Sequence, residues 1–442
     1  MDISLLRVLF CLFAGILVIV LLTAKYRVHA FFALIIACFL VGLGVGMPLD
    51  TVLTSVKDGF GNILKSLGLI IVLGTTLGGI LEYTGSTQVM ANAILRIVGK
   101  KHSDLAMSLT GLVVGLPIFC DSGYIVLSGL NKSLARSTGI SIVIMSVSLA
   151  TGLYAVHCLI PPHPGASAAA GIIGVDFGKL ILVGTLVAIP AMLAGYLWAN
   201  YAGRKIGNPI VPEEQAFESN SLRPSTIKAF LPVLVPILLI ALKSFLTIEP
   251  ATANNWLTFF TLFGDPSIAL TIGILLAFNT ARSWTKASMS KVLQEGVEKA
   301  GGILVIIGAG GAFGAVLAAT KIGGLLSEAL PLASMGLFFP FLITSIIKTA
   351  QGSSTVAIIT AASIVLPLLA ALGLDTPTGH LLCVLAMGAG SMMISHANDA
   401  YFWVIAKFSG LEMKTMLSVY SVATVFMGLT SFAIVYILSF IL

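Results

Sequence analysis

Apolar stretches of about 20 residues recur along this 442-residue chain, each the length an α-helix needs to cross a hydrocarbon core of roughly 30 Å. They do not alternate polar with apolar residues, which excludes a membrane β-barrel. Charged residues make up only 10% of the sequence and hydrophobic residues 57%, whereas a soluble domain carries about 25% charge. The chain is therefore expected to be an all-α polytopic membrane protein. Its first run, MDISLLRVLFCLFAGILVIVLLTAKYR, has no small-residue cleavage site and leads at once into a second run, so it reads as a retained helix.

Ten full spans are expected, at 4–24, 28–47, 62–83, 139–160 and 177–201, then at 228–248, 264–281, 301–321, 379–395 and 416–441. Two further runs, 104–131 and 334–372, are interrupted by polar motifs and read as re-entrant hairpins. Irregular backbone survives at membrane depth only where protein or water satisfies its polar groups. Most of the 24 Lys and Arg, among them Lys25, Arg27, Lys100, Lys101, Arg204 and Lys205, fall on one side of this scheme. The opposite loops 161–175, 249–263 and 373–378 hold none. Basic loops mark the cytoplasmic side, so the net charge of +6 reflects loop asymmetry and no nucleic-acid partner is implied. The polar stretch 203–227 reads as a cytoplasmic linker.

The chain also restates itself. Asp58-Gly59 opens one glycine-rich run, and Glu295-Gly296 opens a similar one 237 positions later. Each is followed by a polar break and then by an intramembrane histidine, His157 or His396. Five spans per half is an odd number, so the halves 1–202 and 228–442 would be inverted relative to each other, with one hairpin each. Matched, broken repeats are the pattern of secondary transporters.

The second break, Lys348-Thr349-Ala350-Gln351-Gly352-Ser353-Ser354-Thr355, offers a turn at Gly352 and N-cap hydroxyls at Ser353, Ser354 and Thr355. A half-helix starting there points N–H groups and a positive dipole end into the membrane, which suits a carboxylate. The same hydroxyls would equally serve as plain caps. Lys348 adds a full charge at a depth where lysine is costly. In the first break Pro117 ends a half-helix, and Asp121, Ser122 and Gly123 are expected as cap and turn residues of the next. Asp121 is a candidate proton or cation site. Histidine as a residue type suits a proton relay, which makes His157 and His396 candidates, and Asn398 and Asp399 suit a cation or hydroxyl groups. The five cysteines show no CxxC spacing, and His157 and His163 lack a third ligand, so no metal or cofactor is expected.

At these residues the chain resembles the gluconate permease (GntP) family. The stretches that carry the likeness are GLPIFCDSGYIVL at 115–127, HCLIPPHPGASAAA at 157–170, GKLILVGTLVAIP at 178–190, AQGSSTVAIITAASIVLPL at 350–368 and GSMMISHANDAYFW at 390–403. The resemblance implies proton symport of gluconate or related sugar acids across a bacterial inner membrane. It also implies the wider ion-transporter superfamily, with inverted repeats, scaffold and transport subdomains, elevator movement and a homodimer. Its binding site is expected at the hairpin tips, on Asp121, Ser122, Gly352, Ser353, Ser354 and Thr355. Cys120-Asp121-Ser122 stands where the family tends to carry Tyr-Glu-Val, and Tyr401 where a glycine is usual, so D-serine or glycerate remains open as substrate.

The expected function is import of a small hydroxy-monocarboxylate with protons. Lys348, Ser353, Ser354 and Thr355 are expected to hold the carboxylate, and Ser122, Asn398 and Asp399 to bind hydroxyls, with Gly123, Gln351 and Gly352 also expected at the substrate site. Asp121 with His157 or His396 would carry the proton. The rivals are sodium coupling through backbone carbonyls, a channel, and an intramembrane enzyme. Against the enzyme, neither GxSxG nor HExxH occurs.

Overall fold

The computed structural model describes residues 5–206, 224–246, 261–280, 284–320 and 334–442, all of which are helices or connections. Most of the expected linker and of the loop 249–263 lies outside these residues. The first part contains α1 (Leu5–Val20), α2 (Ala30–Val45), α3 (Leu49–Tyr83), α4 (Ser86–Val98), α5 (Ser103–Gly115), α6 (Cys120–Thr138), α7 (Ile142–Leu159), α8 (Pro164–Ile173) and α9 (Phe177–Ile206). The second contains α10 (Thr226–Leu246), α11 (Pro266–Phe278), α12 (Lys286–Ala319), α13 (Phe338–Gln351), α14 (Ser354–Val365), α15 (Pro377–Met392), α16 (Ala400–Ser409) and α17 (Val422–Leu438). Among the described residues, seven helices are long and apolar enough to cross a membrane. Of the ten expected spans, those at α2, α11 and α15 are shorter, with 16, 13 and 16 residues.

Two expectations of helix length are corrected. The helices expected to begin at 62 and 301 begin at Leu49 and Lys286 and run for 35 and 34 residues. Their first halves are amphipathic, with Val52, Gly59, Ile63, Val292 and Gly296 buried while the charged residues face outward. A hydropathy window misses such a half because its charges mask one continuous helical stripe. A capping box fixes the start of α12, where Thr285 accepts from Ser288 N and Ser288 reciprocates. Likewise the stretch 161–175, expected as a loop, contains the buried helix α8, and the stretch after 395 contains α16.

α3 and α12 lie against each other in opposite directions. A side chain at Gly59 would meet Gly311 and Ala312, and one at Gly296 would meet Thr76. The Thr75 hydroxyl donates to Gly296 O at 3.1 Å. Shifting Gly59 and Thr75 by 237 positions lands on Gly296 and Ala312, the other members of these two contacts. Small residues at the crossing let backbones meet closely, the main source of packing energy where lipid offers no hydrophobic drive.

The remaining packing is reciprocal in the same sense. α8 of the first part lies on α14 of the second, and α16 of the second lies on α6 of the first. α5 packs on α7 and α13 on α15, while α9 and α17 pack on each other. All eighteen residues of α7 are buried, so it forms the centre of the molecule.

Candidate functional site

Each part contains one helix broken in mid-course. Between α5 and α6 the break is Leu116-Pro117-Ile118-Phe119. Pro117 has no N–H to continue the ladder, and Phe119 is the N-cap residue with extended backbone. Asp121 is therefore not the cap expected from the sequence. It sits at the second helical position of α6, where its carboxylate still faces the positive end of the helix dipole. Between α13 and α14 the break is Gly352-Ser353. Gly352 has φ +90°, a conformation side chains resist, and a side chain there would run into the backbone of Asn398. Ser353 is the N-cap, with Oγ accepting from Val356 N at 3.3 Å.

A helix ending inside the protein leaves carbonyls that need donors. Both breaks solve this with the loop that precedes a ten-residue helix. In the first part His163, the residue before α8, donates from Nε2 to Gly115 O at 2.7 Å, the last carbonyl of α5. In the second part the loop before α16 does the same for α13. Asn398 Nδ2 and His396 Nε2 donate to Thr349 O at 2.9 and 3.0 Å. Lys348 Nζ donates to Gly352 O at 2.5 Å and to Asp399 Oδ2 at 2.8 Å. Asp399 is the N-cap of α16 through Oδ1 and receives the Ser395 hydroxyl on Oδ2.

The expected pairing of His157 with His396 is corrected by this arrangement. His157 lies within α7 and His396 in a loop; the residues that precede the matched short helices are His163 and Asp399. Sequence reasoning treated His163 only as a failed metal ligand. The signal was Pro164, which marks the start of a helix and so makes His163 its N-cap.

The two breaks face each other across α7. Asp121 lies within electrostatic range of Asp399, and His157 within range of Lys348. His157 and His163 rings are 5.1 Å apart, and Phe119 and His163 rings 6.1 Å. Gly165 at the start of α8 packs against Thr355 at the start of α14; a Cβ at Gly165 would sit 3.3 Å from Thr355 Cα. Tyr401 at the start of α16 meets Tyr124 of α6 edge-on at 6.1 Å. The N-termini of α6, α8, α14 and α16 thus converge on one buried region, each bringing a positive dipole end.

Around that region several polar atoms are buried without a hydrogen-bond partner: Asp121 Oδ1, His157 Nδ1 and Gln351 Nε2. Each such atom calls for a partner that satisfies it. Ser122 and Thr355 are half-buried, Gly123 and Ser354 buried, and Gln351 is in reach of Thr23 at 3.4 Å. Lys348, Asn398, Asp399 and His396 have their polar groups engaged with the second break itself. Tyr124, Tyr154, Tyr401 and Tyr420 form a fully buried ring cluster behind Asp399 that sequence reasoning did not identify. Among the described residues no group of three or more His, Cys, Asp or Glu is placed to hold a metal ion, and all five cysteines are buried and unbridged.

The solved structure of the Alcanivorax borkumensis YdaH transporter has a similar fold, with a TM-score of 0.60 over 89% of this chain and 90% of that one at 13% identity. A gluconate permease of Pseudomonas aeruginosa is 33% identical over 96% of both chains. The D-serine transporter DsdX of Escherichia coli O6:H1 is 31% identical over 98% of both. The family model described as GntP family permease matches residues 7–441. A chain matched from end to end in this way is a membrane permease and not an enzyme, and it belongs to the GntP permease family.

Proposed function

We propose that this protein is a secondary active transporter of the bacterial inner membrane that imports a small hydroxy-monocarboxylate, gluconate or a related sugar acid, together with protons. The observation that carries this reading is the convergence of four helix N-termini on a buried region holding Asp121. Unsatisfied N–H groups and dipole ends favour an anion there. The substrate carboxylate takes the N-terminus of α14, with Ser353, Ser354 and Thr355 as its donors. Ser122, Gly123 and Gln351 face the hydroxyl groups of the substrate. Lys348, Asp399, Asn398 and His396 hold the second break in shape, in place of the direct contacts expected from the sequence.

Asp121 carries the coupling proton, with His157, whose Nδ1 is likewise buried without a hydrogen-bond partner, as its relay. A carboxylate that is protonated when substrate is bound lets anion and proton cross without net buried charge, so an inward proton gradient biases the loaded carrier. The reciprocal packing of α3 with α12, and of α8 and α16 with the opposite broken helices, supports two inverted repeats with a pair of re-entrant hairpins. In that frame α5–α8 and α13–α16 form a transport body that moves against α1–α3 and α10–α12. Part of the seam between them, lined by Leu77, Pro117, Pro162, Pro236 and Leu270, is apolar, while the Ser363 hydroxyl crosses to Gly310 O at 2.7 Å. The bilayer and a homodimer complete the proposed setting.

A counterflow assay in proteoliposomes tests the reading. Vesicles preloaded with unlabelled gluconate should take up labelled gluconate transiently above equilibrium. No counterflow with gluconate, idonate or glycerate would overturn the sugar-acid reading. Counterflow with D-serine alone would move the substrate to an amino acid, the specificity of one relative.

A further inference from the structure

Lys348 is among the largest fully buried side chains of the protein. A lysine at that depth is expensive unless the site repays it. Its ammonium touches Gly352 O at 2.5 Å and Asp399 Oδ2 at 2.8 Å, and Ser395 Oγ lies on the same carboxylate oxygen at 2.5 Å. Ser395 is itself fixed, because Thr424 Oγ1 accepts from its N–H at 3.0 Å and its carbonyl accepts from Ser421. Gly352 O is the carbonyl set free by the break in the helix. A free carbonyl at an unwound hairpin, a carboxylate and a hydroxyl are the hard oxygen ligands that a small cation takes. Among the described residues Asp399 is the one carboxylate paired with Lys348, so the charge matched is that of one monovalent cation.

We propose that the Lys348 ammonium is a tethered cation. It fills a monovalent-cation site made of Gly352 O, Asp399 Oδ2 and the neighbouring Ser395 hydroxyl, and fixes the second break without a free ion. Filling by a covalently attached charge removes any requirement for sodium at this break. That last consequence rests on the transport reading above, whereas the site itself rests on geometry alone.

The test is thermal unfolding of purified Lys348→Ala in sodium, potassium, lithium or choline chloride at equal ionic strength, beside wild type. Truncation leaves Asp399 and Gly352 O facing each other without the charge and opens space for an ion. At saturating sodium or potassium the midpoint of Lys348→Ala should exceed that in choline by about 2 °C or more. Wild type should show no such difference. The Lys348→Met/Asp399→Asn pair, which lacks both charges, should be indifferent to all four salts. Indifference of Lys348→Ala to the alkali ions would overturn the proposal, and so would a sodium response in wild type. Failure to recover Lys348→Ala in sodium as well as in choline would also count against it, since the ion would then not replace the ammonium. None of these outcomes depends on which substrate is carried.

Discussion

Lys348 Nζ and Asp399 Oδ2 are 2.8 Å apart, with side-chain exposures of 0% and 8%. The pair joins the first arm of one broken helix to the loop before a short helix. Breaking a buried pair leaves one uncompensated charge and costs about 3–5 kcal/mol, whereas removing both charges costs far less. Asp399→Asn and Lys348→Met should each lower the unfolding midpoint in detergent strongly. The double variant should recover most of the loss. A double variant as unstable as the sum of the singles would show that the two residues do not act together.

Gly352 should tolerate no side chain. Its φ of +90° costs a non-glycine residue roughly 1–2 kcal/mol, and the Asn398 backbone adds a steric conflict. Gly352→Ala should insert in the membrane yet lose uptake by at least about tenfold, equivalent to 1.4 kcal/mol. Surface expression alongside initial uptake rate checks this. Normal uptake would mean that the turn is not needed in its present form.

Asp121→Asn should abolish accumulation against a gradient while sparing exchange, because an amide cannot cycle a proton. Accumulation by wild type should be steeper at an external pH of about 6 than at about 7.5, following the proton gradient. If Asp121→Asn still concentrates substrate, another group carries the proton.

His163 should matter for the shape of the first break. His163→Ala leaves Gly115 O buried without its donor, a cost of about 1–3 kcal/mol. His163→Gln, which retains an N–H donor, should recover part of both stability and uptake. Equal damage from both variants would mean that the ring, and not its hydrogen bond, is what the site requires.

How far the sequence revealed the structure can be judged at these same residues. Gly352 and Ser353 were legible because turn and N-cap chemistry is local: a glycine followed by hydroxyls before an apolar run has few other readings. The first break was located through Pro117, yet its cap was misplaced at Asp121, since a phenylalanine N-cap has no side-chain signature. The early starts of α3 and α12 were hidden by charges on one face of each helix. α8 was hidden by the prolines at its start and α16 by the polar residues before it, and both by their brevity. The Lys348–Asp399 pair joins residues 51 positions apart, and the Tyr124, Tyr154, Tyr401 and Tyr420 cluster joins three helices and the π-helical segment that leads into α17; no periodicity reports such contacts. Family resemblance pointed at the tips of the broken helices, but it did not separate residues that hold the tips from those left unpaired beside them.

The orientation proposed from the basic loops can be checked separately. Single cysteines replacing exposed Lys205 and exposed Asp375 in a background without the native cysteines should label from opposite sides. A membrane-impermeant maleimide applied to whole cells should reach position 375 and not 205. The reverse pattern would invert the molecule in the membrane.

The most direct measurement is uptake of labelled gluconate into proteoliposomes under an imposed pH gradient, alkaline inside, with sodium either present or replaced by choline. Concentrative uptake that survives choline and collapses with a protonophore is the predicted result. Uptake that requires sodium and ignores the protonophore would contradict proton symport.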